Sequence, residues 1–379
     1  MKLNGSRSSY PIYKPAFVQC AAGWYHAKNH RHIIAQPMGI AQGKKERIPG
    51  KDPLHGKVVL VAGGTGSFGQ YFVREALKTG LKKIIVFSRD EFKQSEMRAQ
   101  ILDDRVRFFL GDVRDRERLR RAFVGVDVVV HAAALKQVPA LEYNPFEAIK
   151  TNILGTQNVI EAALDCDVKK VLLISTDKAV NPINLYGATK LCAEKLFIAA
   201  NAYRGEKNGP LFSVVRYGNV LGSRGSLIEI IQKQRTSGVM KLTHKDMTRF
   251  WLRLEDAVHL VMRALSVMQG GEIFVPKVGS FRVEDILQAL APECRIKTIG
   301  IRPGEKMHEL LLSDDEVRSA RDAGFCFVIP PHFDWWHGRA ATYSSVPKGF
   351  RYSSDATLLS LRDMRELLSS FIEAPANRA

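Results

Sequence analysis

From Lys57 onward, short apolar runs alternate with longer stretches in which apolar residues recur at helical spacing. The runs are Val58 to Ala62, Ile84 to Phe87, Arg107 to Leu110, Val126 to Val130, Lys170 to Ile174 and Phe212 to Arg216. Each has strand length and is almost continuously apolar, the pattern of strands covered on both faces. Helical patterns lie between them, one running from the first glycine cluster through Leu77 and one over Asn144 to Leu164. The alternation predicts an α/β fold with a doubly wound parallel sheet. Past Gly222 the pattern is less regular, with elements around 226–236, 255–268 and 283–290 and an amphipathic helix over 358–372. The expected organisation is a flexible extension over 1–55 and a nucleotide-binding domain over 56–225 with return segments at about 246–275. A smaller lobe occupies mainly 226–336, and a C-terminal segment 337–379.

Composition changes this picture little. At 45% hydrophobic and 25% charged residues, the chain reads as a soluble globular protein, and no apolar run reaches the roughly 18–20 residues that span a bilayer. Ala16 to Trp24 is too short and broken for a secretory core. Five cysteines (Cys20, Cys166, Cys192, Cys294, Cys326) without CxxC spacing fit reduced thiols and a cytoplasmic location. The net charge of +17 is weighted toward the extension, where Lys2, Arg7, Lys14, Lys28, Arg31, Lys44, Lys45, Arg47 and Lys51 face only Glu46 and Asp52. With no aromatic-interleaved basic motif, neither a nucleic-acid nor a membrane partner is expected. Cys20, His26, His30 and His32 read as a histidine-containing tail and no metal site is expected; Met38 is an alternative translation start.

The chemistry begins after the first strand. Gly63, Thr65, Gly66, Ser67, Phe68 and Gly69 form a GxxGxxG segment between strand and helix. Its glycines permit a tight turn and close approach of a pyrophosphate to the positive end of the helix, the Rossmann arrangement. The second strand ends at Ser88 and Arg89, with Asp90, Glu91 and Lys93 following. A NAD site would place an acidic side chain at this tip, whereas Ser88, Arg89 and Lys93 suit a 2′-phosphate, so the expected cofactor is NADP. Asp112 and Val113 are placed beside adenine, Ala132 on the floor, and Thr151 and Asn152 on the helix behind the cofactor, Asn152 being equally consistent with a structural part. Farther on, Tyr186 and Lys190 stand four apart on one helical face, just beyond Asp177 and Lys178 at the mouth of a strand. A phenol is a poor base at neutral pH unless a cation stabilises its phenolate.

The glycine segment with Tyr186-x-x-x-Lys190 resembles the extended short-chain dehydrogenase/reductase superfamily. The stretches His131–Pro139, Ser175–Lys190, Arg216–Ser226, Met247–Trp251 and Arg302–Lys306 resemble its inverting UDP-N-acetylglucosamine 4,6-dehydratases, from about residue 56 to 330 and again at Tyr352–Asp355. The chain departs from that family at Glu229–Ile231 and His244–Asp246. The resemblance implies C4 oxidation, loss of water across C5 and C6, and C5 inversion, the opening step of pseudaminic acid biosynthesis used in flagellin glycosylation. It assigns Tyr186 as base at C4, Lys190 to depress its pKa, a partly neutral Lys178 as base at C5, and a protonated Asp177 as donor to the leaving hydroxyl. Thr176 would polarise the C4 oxygen. It places Val220, Leu221, Gly222, Ser223 and Arg224 near the nicotinamide, and Lys136, Asn219, Leu227, Thr243, Arg302 and Glu305 on the sugar nucleotide. A dimer-based homo-oligomer, possibly a hexamer, is implied. A UDP-sugar 4-epimerase and a retaining 4,6-dehydratase stay open as alternatives, and a non-enzymatic NADP sensor is disfavoured because both Tyr186 and Lys190 are kept.

Overall fold

The computed structural model describes residues 52–204, 209–333, 336 and 342–372. The basic extension through Lys51, with Cys20, its histidines and Met38, lies outside the described residues.

The first half alternates as the apolar pattern requires: β1 (Val58–Ala62), α1 (Ser67–Ala76), β2 (Lys83–Ser88), α2 (Glu91–Gln100), β3 (Val106–Leu110), α3 (Arg116–Phe123) and β4 (Val128–His131). There follow α4 (Val138–Tyr143), α5 (Pro145–Ala148), α6 (Gly155–Asp165), β5 (Lys170–Thr176), α7 (Leu185–Ala200), β6 (Leu211–Tyr217) and β7 (Asn219–Val220). The remainder comprises α8 (Leu227–Arg235), β8 (Val239–Leu242), β9 (Thr248–Leu252), α9 (Leu254–Val267), β10 (Ile273–Pro276), β11 (Ser280–Arg282), α10 (Val283–Leu290) and β12 (Arg295–Thr298). The chain closes with α11 (Asp314–Val317), β13 (Arg321–Asp322), β14 (Cys326–Ile329), β15 (Ser344–Ser345) and α12 (Leu361–Ile372).

The large sheet has the order β15-β13-β14-β10-β6-β5-β4-β1-β2-β3. It is parallel from β3 to β10, with Leu60 of β1 facing Ile85 of β2 on one side and Val129 of β4 on the other. Side chains alternate between faces, so Leu60 and Ala62 join the core beneath α3, α6 and α7, whereas Val59 and Val61 join the one beneath α1 and α9. A third core gathers α8, α10 and α12 over β8 and β9. The chain reverses direction across the sheet between β1 and β4, and in such sheets ligands sit beyond the carboxyl ends of the strands at that point.

Two expectations change. The helix over Asn144 to Leu164 is interrupted: Pro145 restarts it after Asn144, and Ile149–Leu154 forms a π-helical turn before α6. Gly155 explains part of this, because a Cβ there would lie 2.8 Å from Val113 Cγ2. The wider turn carries Thr151 and Asn152 into the interior, as such bulges often do near functional sites. β10 lies at the end of the return segments expected at about 246–275, but β13 and β14, in the stretch expected mainly as the smaller lobe, also join the large sheet, β14 antiparallel to β10. Among the described residues no helix is long and apolar enough to cross a membrane.

A buried ionic strut joins β6 to α7 and α11 on one face of the sheet. Arg216 on β6 is fully buried and donates to both Glu194 oxygens on α7 at 3.0 and 2.6 Å and to Glu316 on α11 at 2.9 and 2.8 Å. The Ser175 hydroxyl donates to Glu194 at 2.6 Å.

Candidate active site

The glycine segment builds one wall from backbone alone. Gly63 has φ of 81°, and a Cβ on it would lie 2.8 Å from the Ala133 nitrogen. A Cβ on Gly69 would come within 2.6 Å of Gly64, so α1 begins against the turn that leaves β1. The N-cap of α1 is Gly66, without a side-chain cap and with no acidic residue in the first turn. Its N-terminal N–H groups and dipole are thereby left to an anion. A cavity of about 490 Å³ opens here and adjoins one of about 190 Å³, the two sharing Gly63, Thr65, Gly66, Ala132 and Ala134.

Ser88, Arg89, Asp112, Val113 and Thr151 line the smaller cavity. Ser88 Oγ sits 2.8 Å from Thr65 Oγ1. Asp112 lies 2.8 Å from Arg114 and 3.7 Å from Arg89. Burial works to raise the Asp112 carboxyl, but hydrogen bonds from Arg114 and the nearby cations hold it below the usual range. Asp90 is occupied otherwise: it caps α2, accepting the Lys93 N–H at 2.9 Å, and pairs with the Lys93 ammonium at 2.6 Å. Neither Asp90 nor the exposed Glu91 lines either cavity. Asn152 is buried and bonded to both backbone groups of Leu135 and to Thr189, which makes it a brace.

His131 ends β4 beneath this floor, fully buried, its ring stacked on Phe197 with Nε2 3.2 Å from Thr156 Oγ1. Burial, with the Lys190 charge beside it, pulls its pKa down from 6.5 to about 3. An unfolded chain takes up this proton near pH 6.5 and the folded one does not, so stability falls as the pH is lowered through that window. Acidification from pH 7 to 5 is expected to cost the wild type about 2 kcal/mol more than His131→Gln. Urea unfolding at the two pH values measures this, and equal losses would refute it.

The second wall is the end of β5. Thr176 leads into a single 3₁₀ turn, Asp177–Ala179, and the chain enters α7 at Asn184, whose side chain accepts the Gly187 N–H at 2.8 Å. Gly187 is the contact point: a Cβ there would overlap the Lys178 carbonyl. Helix α7 therefore rests directly on the turn, bringing Tyr186 and Lys190 to Thr176 and Lys178 on the larger cavity. Burial raises the Tyr186 phenol, opposed by the Lys178 charge and a hydrogen bond with Thr176. The Lys178 charge thus bears on the phenol. Lys190 is itself desolvated, which lowers its pKa to about 8 against the pull of Glu194.

Lys178 also departs from expectation. Its ammonium lies 3.0 Å from Asp177 and 3.3 Å from Glu309, and these carboxylates raise its pKa against burial, so the resting side chain is charged rather than partly neutral. Asp177 has no exposed surface, and burial raises its carboxyl. It lies behind the cavity wall, its Oδ1 accepting from the Thr176 hydroxyl at 2.9 Å and from Lys178, while Oδ2 has no hydrogen-bond partner among the described residues.

Of the expected sugar-nucleotide contacts, Lys136, Asn219 and Leu227 line the larger cavity, and Thr243, Arg302 and Glu305 do not. Thr243 is buried against Met247, Arg302 is exposed, and Glu305 lies 3.7 Å from Arg249. The loop from Val220 to Arg224 is split. Val220, Ser223 and Arg224 face the cavity, Leu221 joins the third core, and a Cβ on Gly222 would sit 3.2 Å from Phe371. Arg224 spans the opening, its N–H donating to Ser67 and its carbonyl accepting from Lys136, both at 3.0 Å. Gln137, Tyr217, Ser226 and Trp251, which lie within the stretches that carry the resemblance but were given no site role, also line the cavity; among the described residues Ser226 Oγ and Trp251 Nε1 have no hydrogen-bond partner. Glu309 was also missed, its one signal being its place three residues beyond the Arg302–Lys306 motif.

The polysaccharide biosynthesis protein family matches residues 59–331. An inverting UDP-N-acetylglucosamine 4,6-dehydratase of Campylobacter jejuni is 47% identical over 313 residues, covering 80% of this chain and 93% of the relative. A UDP-glucose 4-epimerase of Rickettsia bellii is 44% identical over 283 residues, covering 72% and 83%. Among solved structures, Pen from Bacillus thuringiensis aligns with a TM-score of 0.78 at 35% identity, covering 84% of this chain and 98% of that one. The chain belongs to the polysaccharide biosynthesis protein family of extended short-chain dehydrogenase/reductases, together with the inverting UDP-N-acetylglucosamine 4,6-dehydratases.

Proposed function

We propose that the chain is a hydro-lyase that converts UDP-N-acetylglucosamine into a UDP-4-keto-6-deoxy-N-acetylhexosamine with inversion at C5, using tightly held NADP. The observation that carries this reading is the meeting of Lys178, Tyr186 and Thr176 at one cavity edge, with Asp177 bonded to Lys178 and Thr176 just behind it. Oxidation at C4 alone needs Tyr186 and Lys190; elimination needs a further acid and base.

The glycine turn, the uncapped start of α1 and the Ser88–Arg89 tip suit a dinucleotide carrying a 2′-phosphate, since Asp90 is committed to capping α2. When bound, NADP would supply the two-electron acceptor for C4 and, after the elimination, the hydride that C6 needs, with C5 reprotonated on the opposite face to give the inverted 6-deoxy product. Tyr186 takes the C4 hydroxyl proton, and Lys190 and Thr176 hold the phenol's surroundings polar. The resulting C4 ketone acidifies C5. One proton passing from Lys178 to Asp177 converts the resting ion pair into a neutral amine and a carboxylic acid, and desolvation by bound substrate favours that neutral form. Lys178 then removes the C5 proton, and Asp177 delivers its proton through the Thr176 hydroxyl to the departing C6 hydroxyl. Lys136, Asn219 and Leu227 line the sugar-nucleotide end, with Ser226 and Trp251 offering unpaired polar atoms. The product would enter pseudaminic acid biosynthesis, and the working form would be a dimer-based homo-oligomer.

The test is incubation of the purified chain with UDP-N-acetylglucosamine without added NADP, followed by NMR. A 4-keto-6-deoxy product with inverted C5 is expected. A C4 epimer, the outcome suggested by the epimerase relatives, would overturn it. Lys178→Ala is expected to stop elimination while sparing some C4 oxidation, and an undiminished product rate would remove Lys178 from its role.

A further inference from the structure

We propose that Glu309 is a positioning residue that holds the Lys178 ammonium against Asp177 and thereby sets how many protons the pair carries. This rests on the reading of Asp177 and Lys178 given above. Glu309 is buried, and its Oε1 lies 3.3 Å from Lys178 Nζ, opposite the 3.0 Å contact with Asp177. Lys178 is thus gripped between two carboxylates on different parts of the chain. Glu309 is fixed by its own backbone, whose N–H donates to Ser354 Oγ at 2.9 Å and whose carbonyl accepts from the Ser354 N–H at 2.8 Å.

Its other cations are less intimate. Arg249 on β9 stands 3.9 Å away, its N–H groups going to the carbonyls of Thr248, Lys306 and Met307 and its charge also shared with Glu305. Lys306 is 3.7 Å from Oε2 and donates to the Val180 carbonyl, and Oε2 has no hydrogen-bond partner among the described residues. Lys178 is therefore the closest cation to Glu309. The charged and titratable groups that act on the pair are Glu309, Arg249, Lys306, Glu305, Lys136 and the Tyr186 phenol.

The competent pair carries one proton between Asp177 and Lys178. Activity is then bounded at low pH by uptake of a second proton and at high pH by loss of the last. The nearby negative charge of Glu309 raises both limits, while the positive charge of Lys306 lowers both.

The experiment is the pH profile of C5 proton exchange with solvent deuterium, followed by NMR on UDP-N-acetylglucosamine, for the full chain and for Glu309→Gln. Both limbs are expected to move to lower pH, the limb governed mainly by Lys178 by about 1–3 units. Glu309→Asp should move them back toward wild type. Lys306→Gln should move both limbs the opposite way, which keeps the proposal testable if Glu309→Gln does not fold. A lower rate with unmoved limbs in Glu309→Gln, or an acid shift or no shift in Lys306→Gln, would reduce Glu309 to packing. A wild type that never exchanges C5 or releases a dehydrated product would instead refute the proposed reaction.

Discussion

Tyr186→Phe is expected to lower turnover by about 10²- to 10⁴-fold while leaving the melting temperature within a degree or two of wild type. Tyr186 lines the cavity, its phenol within the field of Lys178 and hydrogen-bonded to Thr176. Phenylalanine keeps the ring, and with it the packing at the start of α7, but leaves no atom to take the C4 hydroxyl proton. Since oxidation at C4 precedes acidification of C5, both halves of the reaction stop together. Product formation by NMR beside a thermal melt separates loss of chemistry from loss of fold. Activity within a few-fold of wild type would mean that another group is the base, Lys190 being the neighbour already desolvated enough to titrate near neutrality.

Arg216→Ala has the largest expected effect on stability. It would leave Glu194, 1% exposed, without its cation, and strip two hydrogen bonds from Glu316. Removing one partner of a buried ion pair typically costs about 3–5 kcal/mol, because the other charge remains desolvated. For a domain of this size that is a melting-temperature loss on the order of 10 °C. The double variant Arg216→Met with Glu194→Gln should recover part of it, since only the partly exposed Glu316 then keeps a charge without its arginine. A loss below about 1 kcal/mol in Arg216→Ala would mean that water reaches Glu194.

The first six strands were legible because both faces of the sheet are covered, so their apolar runs are unbroken; β1 was placed at its observed limits and the others within two residues at either end. The glycine segment and Tyr186 to Lys190 were legible because their chemistry depends on spacing along one element. What the sequence concealed is long-range. Pro145 and Gly155 sit within a helical pattern and signal a break only once Val113 is known to press on Gly155. Strand β14 returns to the large sheet from more than a hundred residues beyond β6, and local periodicity says nothing about such pairing. Glu309 reaches Lys178 from another segment, and Asp177, adjacent to Lys178 in sequence, turns away from the cavity that Lys178 lines.

Main chain rests on main chain where Gly187 meets the Lys178 carbonyl. A side-chain layer between two elements can be repacked by mutation and blurred by rotamer motion; this contact offers neither route. The distance from the phenol to the Asp177–Lys178 pair is therefore insulated from drift in the surrounding core. Sequence change can alter what the two pairs do, but it cannot adjust their separation by small increments. A methyl group at position 187 would act as a wedge, so divergence of new activities on this scaffold has to proceed through the side chains around that fixed point.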